Sequence, residues 1–114
     1  RFPHLGKLVI GQDCEIGNSC CVSRGTLQDT VIERGTKIDD HVYVAHNVHV
    51  KKHSFLMAGV RLNGRVEIGE CCWIGTNASI REGCVVGDLV TVGMGSIVLN
   101  NIEKSSVVFG NPAK

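Results

Sequence analysis

The chain has 114 residues, a formal net charge of +1, 43% hydrophobic and 4% aromatic residues, and no basic run. These values imply one domain and argue against nucleic-acid binding. No signal peptide opens the chain and no apolar stretch approaches the ~18 residues of a membrane span, so a soluble cytoplasmic protein without membrane contact is expected.

From the amino end, Ile10, Ile16 and Val22 recur every sixth residue. The period then breaks for four extra residues and resumes at Ile32. It continues without a miss through Ile38, Val44, Val50, Leu56, Leu62, Ile68, Ile74, Ile80, Val86, Val92 and Val98. Val, Ile and Leu total 32 of 114 residues, so twelve consecutive hits arise by chance on the order of once in a million, whatever the phase. Neither a helix, with period 3.6, nor a flat strand, with period 2, gives this spacing.

The other positions of each hexad agree. With the aliphatic residue as position one, position five is small or branched, as at Cys14, Thr36, Ser54, Cys72, Ala78 and Ser96. Positions one and five are four apart and point to one side of an extended strand. Position two is often Gly, and position four is rich in Gly and Asn, which tolerate the positive φ of a tight corner. Each hexad is a short strand plus a corner, and three hexads close an 18-residue triangle. The pattern is that of a hexapeptide-repeat parallel β-helix, an all-β solenoid. About five coils stacked at 4.8 Å give a prism roughly 24 Å tall around one narrow aliphatic core.

The whole chain, 1–114, reads as this single domain, and its start at Arg1, inside the pattern, suggests a piece of a longer protein. The surplus residues after Val22 place an insertion loop at 24–31, with Arg24–Asp29 bulging outward. Insertions in solenoids gather on one face, often the binding face. Residues 100–114 are expected to form a tail that caps the upper end. Tyr43, Phe55 and Trp73 fall at position six, which faces outward.

Six cysteines invite a disulfide or zinc reading. Cys14, Cys20, Cys72 and Cys84 occupy the small inward position, and Cys20-Cys21 and Cys71-Cys72 are adjacent pairs rather than CxxC. Reduced structural thiols are expected, with no metal.

Among the five histidines, His41 and His53 fall at the turn position and His49 at an outward flank. His46 stands at a corner, position three, ahead of Asn47. Gly64 lies one coil above it, leaving an open slot, and Arg24 one coil below, able to hold an anionic acceptor. A neutral imidazole there is suited to accepting a proton from an attacking amine or hydroxyl.

The stretch SRGTLQDTVIERGTKIDDHVYVAHNVHV resembles the β-helix of the UDP-3-O-acylglucosamine N-acyltransferases. The end, VGMGSIVLNNIEKSSVVFGNPAK, resembles the acetyl-CoA-dependent sugar O- and N-acetyltransferases of the sialate and bacillosamine group. These resemblances imply a left-handed coil, against the usual crossover hand. They also imply a homotrimer with sites between prisms, acetyl-CoA as donor and a sugar or nucleotide-sugar as acceptor. His46 matches the general base. Gly64, Gly75 and Thr76 match positions lining the coenzyme A arm. Gly93 would extend the same groove, and Pro112 and Lys114 of the GNPAK tail would lie toward the nucleotide. Arg24, Asn47 and Asp40 are candidate substrate contacts.

There are departures. The lipid A enzymes carry a second histidine where this chain has Gly83 and an Asn where it has Asp40, and the acetyltransferases follow the histidine with an acid where this chain has Asn47. The imidazole therefore lacks its usual orienting partner, for which Asp39 or Asp40 of a neighbouring subunit are candidates.

Two other readings share the fold. γ-Type carbonic anhydrases bind zinc through three histidines, and His41 and His46 show their five-residue spacing, with His4 as the only candidate third ligand. A non-catalytic hexapeptide domain that trimerises a larger protein is the other.

Overall fold

The structure is a computed structural model describing residues 6–114, so His4 lies outside the described residues. Sixteen short parallel strands and no helix occur among them. Numbered in chain order, they form three sheets. The first holds β1 (Leu8–Ile10), β4 (Thr30–Ile32), β7 (His49–Val50), β10 (Glu67–Ile68) and β13 (Val85–Val86). The second holds β2 (Glu15–Ile16), β5 (Lys37–Ile38), β8 (Phe55–Leu56), β11 (Trp73–Ile74), β14 (Thr91–Val92) and β16 (Val107–Val108). The third holds β3 (Cys21–Val22), β6 (Tyr43–Val44), β9 (Arg61–Leu62), β12 (Ser79–Ile80) and β15 (Ile97–Val98). The chain visits the three sheets in rotation, forming a parallel β-helix of five complete coils and the start of a sixth, consistent with the left-handed coil expected.

The aliphatic ladder sets the register. Ile32 pairs with Val50, Val50 with Ile68, and Ile68 with Val86, each eighteen residues on. Ile32, Val50, Leu56, Leu62, Ile68, Ile74 and Ile80 are fully buried. Ile10 and Ile16 are not, at 44% and 38% exposure. They belong to the first coil, and no coil lies beneath them among the described residues.

Two irregularities frame the regular stack. Ile10 pairs with Ile32 across twenty-two residues, and the surplus forms the loop at 24–29. That loop is shorter than expected, because Thr30 and Val31 already belong to β4. At the other end Val86 bridges Ile102 and Val92 pairs with Val108, both sixteen residues on. The tail therefore does more than cap. The hexad after Val98 has lost two residues, and Ile102 and Val108 resume the inward column on a shortened last coil.

The corners follow one rule. Position four takes positive φ at thirteen hexads of the regular ladder, from Asp13 (60°) and Ser19 (56°) up to Gly95 (68°), and again at Ser105 (61°) in the tail. His41, His53, Arg65, Cys71 and Leu89 all adopt it (55–60°), a conformation costing a residue with a Cβ roughly 1 kcal/mol or more. Stacked coils hold them there, since each corner N–H reaches a carbonyl one coil below, as Arg65 does to His46 (2.9 Å) and Cys71 to Lys52 (3.0 Å). The position-two glycines answer a different need. A Cβ on Gly75 would lie 2.6 Å from the Met94 amide nitrogen, so a side chain at this corner would force the coil above to shift.

Position five supplies a second kind of tie. The side chains of Cys14, Cys20, Thr36, Ser54 and Cys72 donate to position-two carbonyls of the coil above, those of Glu33, Asp39, Lys51, Gly69 and Gly87, at 2.7–3.3 Å. All six cysteines are free thiols, and burial pushes the Cys72 and Cys84 thiols above the ordinary range. The inward cysteines act as small hydrophobes with a weak donor to spend.

Outside, Trp73 is 45% exposed and stacks on Phe55 with ring centroids 5.0 Å apart. Tyr43 carries the Arg61 guanidinium over its ring at 5.1 Å. No helix of the described residues is long and apolar enough to cross a membrane.

Ser54 is the sharpest test of the inward ties. Its hydroxyl donates to the Gly69 carbonyl (2.7 Å) and accepts the Cys72 N–H (3.0 Å) in a site 1% exposed. Ser54→Ala strands two buried backbone groups and is expected to cost about 1–3 kcal/mol, read as a lowered midpoint in urea denaturation.

Candidate active site at the insertion corner

The corner leading from the third sheet to the first carries His46, Gly64 and Glu82 one above another, with the insertion loop at its foot. His46 is exposed and its side chain leaves the prism. The loop reaches up to it, and the Arg24 carbonyl lies 3.1 Å from His46 Nδ1. A carbonyl oxygen only accepts, so Nδ1 carries the hydrogen. In the neutral ring this leaves Nε2 with its lone pair free to take a proton.

The loop is fastened by the next residue. Asn47 Oδ1 accepts from Thr26 Oγ1 (2.9 Å) and its Nδ2 donates to the Gln28 carbonyl (2.6 Å). Its N–H donates to Thr30 Oγ1 (2.8 Å), and Thr30 is fully buried. The far side of the loop is tied to Lys7, whose carbonyl accepts from Gly25 (3.0 Å) and Thr30 (2.8 Å) and whose N–H donates to Asp29 Oδ1 (2.9 Å). Asn47 thus spends its whole amide on the loop, which is where this chain differs from a corner with an acid after the histidine. The orienting group for the imidazole inside the chain is a backbone carbonyl rather than a carboxylate. Asp40 is engaged elsewhere, its Oδ1 accepting the Asn18 N–H at 2.7 Å, and Asp39 Oδ1 accepts the Asp40 N–H at 2.8 Å.

Above His46 the step at Gly64 is open. A Cβ there would meet only ordinary contacts, the nearest being the His46 carbonyl at 3.7 Å and Glu82 Oε2 at 3.8 Å. Glu82 leans toward Arg65 (3.0 Å) in an exposed ion pair, a contact of small energetic weight. Higher on the same corner a cleft of about 280 Å3 opens beside Arg81, Gly83, Leu99 and Asn100.

The remaining sequence candidates lie apart. Asp40, Thr76, Gly75 and Gly93 stand on the corner between the second and third sheets, one side of the triangle away, so within one chain Gly93 does not extend the slot at Gly64. Pro112 and Lys114 fold over the top of the third sheet. There Ala113 N–H donates to the Ile97 carbonyl (2.9 Å) and Gly110 N–H to Ser96 Oγ (3.1 Å). The chain therefore joins His46, Arg24, Asn47 and Gly64 at one corner and leaves the other six elsewhere.

His41 and His53 are exposed at their turns as expected. His49 is not a simple exposed flank: it is half-buried and its Nε2 is hydrogen-bonded to Glu33 Oε2. Thr26, Thr30 and Glu33 carried no sequence signal of their own. Their roles follow from the loop landing on the histidine corner. No group of three or more metal-ligating side chains is found among the described residues.

The repeat and the fold recur in known proteins. The family model described as Bacterial transferase hexapeptide (six repeats) matches residues 65–100. The chain is a hexapeptide-repeat protein. A UDP-3-O-acylglucosamine N-acyltransferase from Delftia acidovorans is 36% identical to this hexapeptide chain over 110 residues, covering 96% of the chain and 33% of the relative. The acetyltransferase domain of PglB from Neisseria gonorrhoeae superposes with a TM-score of 0.80 at 28% identity, covering 95% of this chain and 54% of that one, and the domain is also solved in complex with acetyl coenzyme A. LpxA from Acinetobacter baumannii gives a TM-score of 0.90 at 25% identity over 99% of this chain and 50% of that one. The hexapeptide chain thus spans about a third of the curated relative and about half of the solved chains.

Asn47→Gly keeps the backbone freedom needed at φ 61° and removes the clamp. Limited proteolysis is expected to cut within 24–29 about tenfold or more faster than in the parent, matching the loss of the two side-chain hydrogen bonds, while the urea midpoint of the stack stays close to the parent's.

Proposed function

We propose that this chain is the β-helical part of an acyltransferase that moves an acetyl group from acetyl-CoA to an amino or hydroxyl group of a sugar or nucleotide-sugar, with His46 as general base. The observation that carries this reading is the His46–Arg24 hydrogen bond, which fixes the tautomer and leaves Nε2 basic on an exposed corner beside an open glycine step. The relative from Delftia and the acetyl-CoA complex of the PglB domain support the reaction class and the donor.

The steps balance simply. The acceptor's nucleophile attacks the thioester carbonyl while His46 Nε2 takes its proton. The tetrahedral intermediate then expels the coenzyme A thiolate as the C–S bond breaks, and the imidazolium returns the proton to sulfur. A backbone N–H at the open corner is suited to the oxyanion, and Gly64 N–H has no partner among the described residues. Holding both substrates against a rigid corner supplies proximity without a covalent enzyme intermediate.

In this reading the protein works as a cytoplasmic homotrimer. Gly75, Thr76, Gly93 and Asp40 would then reach a His46 corner from a neighbouring prism, with Pro112 and Lys114 toward the nucleotide of the donor. The exposed Trp73, stacked on Phe55, suits such contacts.

Replacing His46 with Ala is expected to lower turnover by about 10²–10⁴-fold with the acetyl-CoA-induced rise in melting temperature retained. Release of free coenzyme A at the parent rate, followed with a thiol reagent in the presence of acceptor, would overturn the role of His46.

A further inference from the structure

Beside the His46 corner, on the side of the first sheet, lies a second cleft of about 320 Å3 lined by Gln28, Asp29, Asn47, His49, Arg65 and Glu67. Three direct links join it to His46. Asn47 is the next residue, the Arg65 N–H donates to the His46 carbonyl (2.9 Å), and Gln28 and Asp29 belong to the loop that holds the imidazole. None of the six lining residues is aliphatic, so nothing here takes up an acyl chain. Every group instead donates or accepts hydrogen bonds.

Resting on the acyl-transfer reading above, we propose that this cleft receives the sugar ring of the acceptor, and that His49, held by Glu33, is the positioning residue that reads its hydroxyls. Three observations converge. First, the volume lies at the small end of the range of ligand pockets, about 300–1,000 Å3, which suits one pyranose ring rather than a coenzyme. Second, Asp29 and Glu67 line the cleft and Glu33 stands behind His49, while the one lining cation, Arg65, is paired with Glu82. This surplus of carboxylates repels the diphosphate of coenzyme A and accepts hydrogen bonds from neutral sugar hydroxyls. The donor is left the Gly64 step and the cleft above it. Third, Glu33 engages His49 Nε2, so Nδ1 is the ring nitrogen without a protein partner among the described residues. A hydroxyl, which both donates and accepts, satisfies it.

The test reads binding apart from turnover. In the His46→Ala protein, UDP-glucosamine is titrated against UDP alone while the imidazole resonances are followed by NMR, with dissociation constants measured by calorimetry. UDP-glucosamine is expected to shift the His49 resonances and UDP to leave them. Glu33→Gln and His49→Ala are each expected to weaken the sugar-dependent part of binding about tenfold, with His49→Gln recovering part of the loss. In the parent background the same variants raise KM for the acceptor and leave KM for acetyl-CoA unchanged, a split that general loss of structure would not give. His49 resonances that stay still, that move equally with UDP, or constants within about twofold of the parent overturn the assignment. Acetyl transfer persisting in His46→Ala while Glu33→Gln weakens sugar binding would sink the base mechanism and leave the cleft standing.

Discussion

Parallel stacking of identical corners is the constraint on which everything else in this molecule rests. Each coil has no partner for its strand N–H and C=O groups except the coils above and below, so within the regular stack each residue is fixed over its counterpart eighteen positions away. Hydrophobic burial selects the inward residues, but the backbone ladder sets the spacing. That is why Arg65, Cys71 and Leu89 accept a left-handed corner that glycine would take at less cost. It is also why a chain with this few aromatic residues holds a rigid shape.

A lattice this regular offers little chemistry by itself, because a functional site needs groups converging from different directions. The insertion at 24–29 supplies the second direction. It leaves the stack at one corner, is pinned at its base by Lys7, and offers a carbonyl to His46 and the Thr26 hydroxyl and Gln28 carbonyl to the Asn47 amide. The insertion in the period and the corner histidine with a fixed tautomer thus coincide. The imidazole sits on a scaffold whose corner cannot drift, since the Arg65 N–H above it donates to the His46 carbonyl.

The legible part of this architecture was carried by period. Ile32 to Val98 fixed sheets, register and core, and the four surplus residues after Val22 announced the loop. Three features escaped for physical reasons. The tail hides its continuation because two residues are missing after Val98, which moves Ile102 and Val108 out of phase with a count of six while leaving them inside the prism. The orienter of His46 is a main-chain oxygen, and a backbone carbonyl leaves no mark in a sequence. Glu33 and His49 sit sixteen residues apart in different hexads, and their pairing depends on adjacent coils bringing position two of one strand's exit next to position six of the following coil.

The distribution of candidates over two corners bears on how such a site is completed. His46 and Gly64 share one edge of the prism, whereas Asp40, Thr76, Gly75 and Gly93 share another, and a triangular cross-section keeps two edges from ever facing each other. Side-chain motion cannot close that gap, because both edges are anchored by the same ladder. If both sets serve one reaction, a second prism must bring its own edge to the first. The edge bearing His46 is prepared for such a neighbour: the imidazole is aimed outward, the glycine above it is open, and the polar cleft lies to one side. The Phe55–Trp73 pair, of which Trp73 is exposed, lies on the second sheet, away from that cleft. Apolar contact and polar recognition are thereby kept on different faces of one rigid body, so association of prisms need not cover the groups that would bind a sugar.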